Sequence, residues 1–281
     1  MRNLSLASPP THRNRLGLVL SAVLSSCITF GSAIAAEKPA AKPPDKPAEK
    51  PNPIHPEADR ILRETSSKLA AAKALSLKAE VWEDVLVSNH KVTTSKTVDV
   101  RLRRPDRVQV EVRSPRRSRG FWYDGKSLTL LDRAKNLYGS VVAPGTIDQV
   151  IDAANDKYGI NFPLEDFLVN DPYASAKAAA KGVAYFGKVK VLGTPCQHIA
   201  FSTAAVDGQL WVSEETKLPR KYVITYKNEA AAPQVTVVFD NWDLNSRITD
   251  ETFVFNPPKG AGKIEVFPSE AANILQPTGK N

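Results

Sequence analysis

The sequence predicts an α+β fold in which one antiparallel sheet carries its helices on a single face. Period-two alternation of apolar and polar residues fills most of the chain beyond residue 76. Helical patterning is confined to one segment before the first strand and one block in the middle. No helical segment separates strand from strand in the later part, as the crossovers of a parallel sheet require.

The first helix is expected from Pro56, a residue suited to the first helical position. Glu57 and Asp59 favour the positive end of the helix dipole, and Ala58, Ile61, Leu62, Thr65 and Leu69 share one face. A strand follows, with Leu77, Ala79 and Val81 on one side and Lys78, Glu80 and Trp82 on the other. Val98, Val100 and Leu102 alternate with Asp99, Arg101 and Arg103 before the turn at Arg104-Pro105-Asp106. Val108, Val110 and Val112 form the return strand. Phe121-Trp122-Tyr123 leads into the tight turn at Asp124-Gly125, and strands over 126–131 and 137–142 complete the first run.

A helical block interrupts the strands. Thr146 with Gln149 three residues on reads as a capping box, Ile147, Val150, Ile151, Ala154 and Tyr158 form an apolar stripe, and Gly159 is a helix stop. A second short helix is expected over 164–169, and a third from Asp171-Pro172 to Lys181. Strands over 183–192, 196–203, 208–212, 220–226 and 234–242 follow, punctuated by Gly193-Thr194-Pro195, Val206-Asp207-Gly208 and Pro233.

Ahead of this domain, residues 1–35 read as an export signal. Arg2, Arg13 and Arg15 make a positive region without acidic residues, residues 16–24 are apolar, and Ala33-Ile34-Ala35 is a small-x-small cleavage site. The apolar run is too short and too rich in Ser, Gly and Thr to span a membrane. A competing pattern lies inside it: Leu24-Ser25-Ser26-Cys27 has the form of a lipobox, in which Cys27 becomes a lipidated N-terminus. Cleavage after Ala35 leaves a free periplasmic protein, whereas lipidation leaves one anchored to the membrane. Residues 36–56 are a Pro/Lys/Ala-rich linker, extended and semi-rigid. Residues 57–281 then form a single domain of ordinary size.

Export removes ready access to ATP, nicotinamide cofactors and reducing thiols, so no cofactor is expected. The formal charge of +8 falls to +5 once the three arginines of the signal are removed, which makes no case for nucleic-acid binding. Of the two cysteines, Cys27 is either removed or lipidated, so Cys196 has no partner for an internal disulfide and the fold must rest on its core. Cys196 and His198 share a strand face, but a metal needs more ligands and a nucleophile needs an orienting acid or amide. Structural packing is the expectation for both, with no metal and no catalysis. No phosphate-binding glycine loop, zinc-protease helix or serine elbow is present in the sequence.

Several motifs, taken in order, carry a resemblance. The first helix followed by Leu75-Ser76-Leu77-Lys78-Ala79, the Arg104-Pro105 turn, Asp124-Gly125-Lys126-Ser127-Leu128 and Phe253-Val254-Phe255-Asn256-Pro257-Pro258-Lys259-Gly260 resemble the outer-membrane lipoprotein carrier superfamily (LolA/LolB-like). Tyr123-Asp124-Gly125-Lys126, Pro195-Cys196-Gln197-His198 and Gln209-Leu210-Trp211-Val212 are similar to an uncharacterised family of predicted periplasmic proteins near those carriers, a domain of unknown function. The resemblance spans nearly all of residues 57–267. It implies a strongly curved, incomplete antiparallel barrel with helices covering its concave face over an apolar cavity. It also implies that Arg104, before the turn proline, holds those helices shut, as a guanidinium can by donating several hydrogen bonds to carbonyls at a helix end. The chain departs from the carriers in its arginine-dense segment 101–119 and in the Cys196-x-His198 strand.

These readings converge on a non-catalytic envelope protein that holds a lipid or acylated lipoprotein. Arg104, Trp82, Trp122 and Trp211 are candidate ligand-binding residues. Arg101, Arg103, Arg113, Arg116 and Arg117 are candidates for contact with an anionic membrane surface. The alternative is a regulatory or scaffold module that binds another envelope protein, as a related sigma-factor regulator does.

Overall fold

The structure, a computed structural model, describes residues 54–268 apart from Asn89, Arg116 and Pro144. The expected export signal, Cys27 and most of the linker lie outside the described residues.

Helix α1 (Pro56–Ala71) begins where Pro56 places it, and His55 Nδ1 accepts the Glu57 N–H at 3.2 Å. Strands β1 (Ala74–Val87), β2 (His90–Arg103), β3 (Arg107–Arg113), β4 (Arg119–Tyr123), β5 (Ser127–Asp132) and β6 (Leu137–Val142) form an antiparallel meander. The helical block follows as α2 (Ile147–Tyr158), a single 3₁₀ turn (Glu165–Phe167) and α3 (Pro172–Ala179). A second meander comprises β7 (Gly182–Val191), β8 (Thr194–Ser202), β9 (Val206–Ser213), β10 (Pro219–Tyr226) and β11 (Gln234–Asp243). The short β12 (Gly262–Lys263) pairs in parallel with β6.

β11 pairs with β1 and joins the meanders into one sheet, in the order β12-β6-β5-β4-β3-β2-β1-β11-β10-β9-β8-β7. Laid flat, twelve strands would span about 50 Å. One continuous core instead links Leu128 of β5 to Val183 of β7 through the helices, so the sheet curls around them. Its two ends do not pair, and the barrel stays open.

A bulge in β11 assists the curl. Leu77 faces Trp242 and Ala79 faces Phe239, leaving Asp240 as the extra residue. Both rings thereby stay on the inner face.

Two features differ from the sequence expectation. β1 and β2 form a hairpin of 14 residues per strand, longer than the alternation indicated, because residues 90–97, polar apart from Val92, bury neither face. The Thr93 hydroxyl donates to Asp84 at 2.7 Å and Lys96 pairs with Glu83, so cross-strand polar contacts replace a buried face. The chain after β11 also crosses the convex face. Phe253 is buried there with Arg103 over its ring, and Phe255 lies 5.0 Å from both Trp122 and Tyr138. A side chain at Gly139 would collide with Val266 on this path.

Candidate functional site

The helical block forms a lid over the concave face, and each part of it is fixed by local sequence. The capping box starts α2: Thr146 Oγ1 accepts the Gln149 N–H at 3.4 Å and Gln149 Oε1 accepts the Thr146 N–H at 2.8 Å. Gly159 ends it at φ 61°, where a residue without Cβ avoids strain. Ile147, Val150, Ile151 and Ala154 turn the apolar stripe onto the sheet, and the Ile147 N–H donates to the Pro105 carbonyl at 2.9 Å. The expected helix at 164–169 shortens to the 3₁₀ turn, from which Phe167 packs edge-on against Tyr222 and Phe239 at 5.2 and 5.0 Å. The N-terminal end of α3 is tied to α1. The Tyr173 N–H donates to Ser66 Oγ at 3.0 Å and the Tyr173 hydroxyl donates to Asp59 at 2.6 Å.

Arg104 fastens the centre of this lid. One guanidinium nitrogen donates to the Leu168 carbonyl at 3.1 Å and to Asn170 Oδ1 at 2.7 Å, and the other donates to the Val169 carbonyl at 3.1 Å. Asp148, in the first turn of α2, accepts the Asn170 N–H at 3.0 Å. Burial pulls the Arg104 pKa down, and the Asp148 carboxylate opposes that shift. The Nε atom of Arg104 is buried without a hydrogen-bond partner among the described residues. The latch therefore combines three charge-assisted bonds with a desolvation cost.

Polar contacts also reach from the sheet to the lid. The Tyr222 hydroxyl donates to Asp166 at 3.3 Å, and burial first, then the Asp166 charge, pushes its pKa well above the ordinary tyrosine value. Tyr226 is pushed up to about 12 for the same reasons.

Two cavities mark the seam between lid and sheet. One, of about 30 Å³, sits among α1, α3 and β7 and holds little more than a water. The other, of about 200 Å³, opens between β6 and α2 and is lined by Leu128, Val141, Ala143, Val150, Ala153 and Ala154, with Lys157 and Tyr158 also on its wall. It is smaller than the ~300–1,000 Å³ usual for small-molecule sites. Asp148, Asn170 and this cleft escaped sequence reasoning, because their roles depend on lid–sheet contacts that no local pattern encodes.

The tryptophans expected to bind ligand point away from the lid. Trp82 shares its face with Lys78 and Glu80, as strand parity dictates. Trp122 packs on Phe255, beneath Arg133, and so clamps the C-terminal crossing. Trp211 stacks on His198 at 4.3 Å with rings 7° from parallel, and Lys221 Nζ lies 4.8 Å over it. Trp242, which the bulge keeps on the inner face, is the tryptophan that approaches Phe167.

The arginine segment is largely engaged within the chain. Arg101 donates to Gln109 at 2.9 Å, Arg103 holds the Ile248 carbonyl at 3.2 Å together with Asp250, and Arg113 pairs with Asp99. The outer sheet face and the C-terminal crossing supply partners that alternation alone could not reveal. Arg117 is exposed, and Arg116 lies outside the described residues. Cys196 is fully buried, its thiol donating to the Thr194 carbonyl at 3.3 Å, while His198 contacts Gln209 at 3.1 Å. Among the described residues, no group of three or more His, Cys, Asp or Glu could hold a metal ion. No helix among them is long and apolar enough to cross a membrane.

A family model described as predicted periplasmic protein (DUF2092) matches residues 58–267. Comparison with curated proteins finds no match. Among solved structures, the chain is similar to the lipoprotein LppX of Mycobacterium tuberculosis, at 13% identity and TM-score 0.42, covering 69% of this chain and 98% of that one. It is similar to LprF of Mycobacterium bovis, at 14% identity and TM-score 0.42, covering 74% and 99%. A LolA superfamily protein of Nitrosomonas europaea matches at 8% identity and TM-score 0.34, covering 70% and 97%.

Proposed function

The chain belongs to this predicted periplasmic protein family, and on that premise we propose that it is a non-catalytic envelope protein holding a lipid or acylated ligand between sheet and lid. The observation that carries the reading is the lid itself. An apolar concave face is covered by helices fastened at their centre by one arginine, beside a cleft already open between β6 and α2. The cleft is too small for a whole acyl chain, so uptake requires α2 to move off the sheet once Arg104 releases the Leu168 and Val169 carbonyls. Such a site would gain affinity from apolar area, at about 25 cal/mol per Å² removed from water.

Uptake of a fluorescent fatty acid by the delipidated protein tests the reading. Saturable binding that Ala153→Trp abolishes supports it, since that change fills the cleft from a half-buried position. Binding unaffected by Ala153→Trp removes the cleft from the account.

A second reading, a module that grips another envelope protein, is favoured by one feature. β6 runs beyond its pairing with β12, and Val142 at its end is 84% exposed. An extended partner segment could add to that edge.

A further inference from the structure

The β7–β8 hairpin forms the edge of the sheet farthest from β12. Its strands end at the pair Val191↔Thr194, leaving Leu192 and Gly193 as a two-residue loop. Both have positive φ, 46° for Leu192 and 80° for Gly193. That is the type I′ geometry, for which Asn-Gly is the favoured pair. A leucine in the left-handed region carries a steric penalty that asparagine avoids. Folding gains nothing in return, because the Leu192 side chain is 71% exposed. Val189, three residues back, is 47% exposed.

The hairpin's own charges are of one sign, and the acids that reach it, Glu214 and Glu57, come from neighbouring elements. From residue 172 to residue 206 the chain carries Lys177, Lys181, Lys188 and Lys190 and no Asp or Glu. Lys188 and Lys190 lie on β7 beside the tip, both exposed. The neighbouring Glu214 contacts Lys188 at 3.1 Å, and Lys190 forms no ion pair among the described residues. A strand rises about 3.3 Å per residue, so Val189 sits roughly 10 Å behind the tip. That matches the ~5–10 Å depth to which peripheral elements enter the headgroup and acyl boundary.

We infer that this hairpin is a membrane-contact element, which places Leu192 and Val189 in the interface of an anionic bilayer while Lys190 and Lys188 meet the lipid phosphates. Its apolar side chains supply the depth, and its lysines select the anionic surface. Phe186, 64% exposed, stays outside the bilayer, because it lies about 20 Å from the tip and rests on His198 at 5.1 Å. The inference does not depend on what the lid encloses.

Co-sedimentation with vesicles of phosphatidylcholine, with and without 30 mol% phosphatidylglycerol (about a third, enough for a strong surface potential), tests it. The protein is expected to sediment with the anionic vesicles in low salt. Leu192→Asn is expected to reduce that binding about tenfold or more while raising the melting temperature, because asparagine suits the turn. Lys190→Gln should weaken binding to the anionic vesicles only, and Phe186→Ser should leave it unchanged. Wild-type binding retained in Leu192→Asn, or no binding to any vesicle, overturns the inference. So does a concentration-dependent dimer that Leu192→Asn abolishes, since the tip would then be covered by a second copy.

Discussion

Replacing Arg104 by methionine keeps the apolar stem and deletes the latch. Three hydrogen bonds are lost, to the Leu168 and Val169 carbonyls and to Asn170. Bonds from a charged donor contribute about 1.5–3 kcal/mol each, and the carbonyls recover part of this from water once the lid loosens. Removing a half-buried guanidinium with an unpartnered Nε offsets more of the loss. The balance is a net weakening of the lid by about 2 kcal/mol, or roughly a 30-fold rise in its open population. Native-state hydrogen exchange reads this directly. Amides in α2 and in the Glu165–Phe167 turn should exchange roughly 30-fold faster, while those of β3 and β11 keep their wild-type protection. Equal acceleration in both regions would mean that Arg104 supports the whole core, and no acceleration anywhere would mean that the lid is held by its apolar contacts. Either result refutes the latch.

Phe167→Ala removes the aromatic anchor shared by Tyr222 and Phe239 and should destabilise the protein by ~3–5 kcal/mol, measured by chemical denaturation. Tyr222 and Tyr226 are held neutral by burial, so unfolded tyrosines ionise near their ordinary value of about 10 while these two do not. Above that pH the unfolded chain binds fewer protons, so stability is complete below it and falls as pH rises toward about 12 for Tyr226. Tyrosinate absorbance should therefore rise late, in step with alkaline unfolding. Burial likewise raises the Cys196 pKa, so the thiol should ignore a disulfide reagent at neutral pH until the chain unfolds.

Much of the architecture was legible because its signals are local. The Thr146–Gln149 box and Gly159 set both ends of α2, strict alternation marked β2 near the lid and β3, and the Asp124-Gly125 turn marked the start of β5. The placement of Arg104 before the turn, together with the family resemblance, pointed to lid carbonyls, and its guanidinium reaches two of them. The tryptophans were less legible as a set. Parity already put Trp82 on the polar face, at odds with a role inside a cavity, and the position of Trp122 makes sense only once Phe255 arrives from over 130 residues downstream. The partners of the arginines were hidden for a related reason. Asp250 and the Ile248 carbonyl meet Arg103 only after the chain has crossed the sheet, so a charge run in sequence became a set of internal contacts. Turn strain is visible only in the backbone, which is why Leu192 gave no signal beyond its place beside Gly193.

Native mass spectrometry of the mature protein, purified from envelope fractions without detergent, tests the central claim most directly. A bound lipid or acyl species should appear at a fixed stoichiometry and be lost from Ala153→Trp. A protein that is lipid-free in repeated preparations, and that takes up no acyl probe after delipidation, would contradict the account.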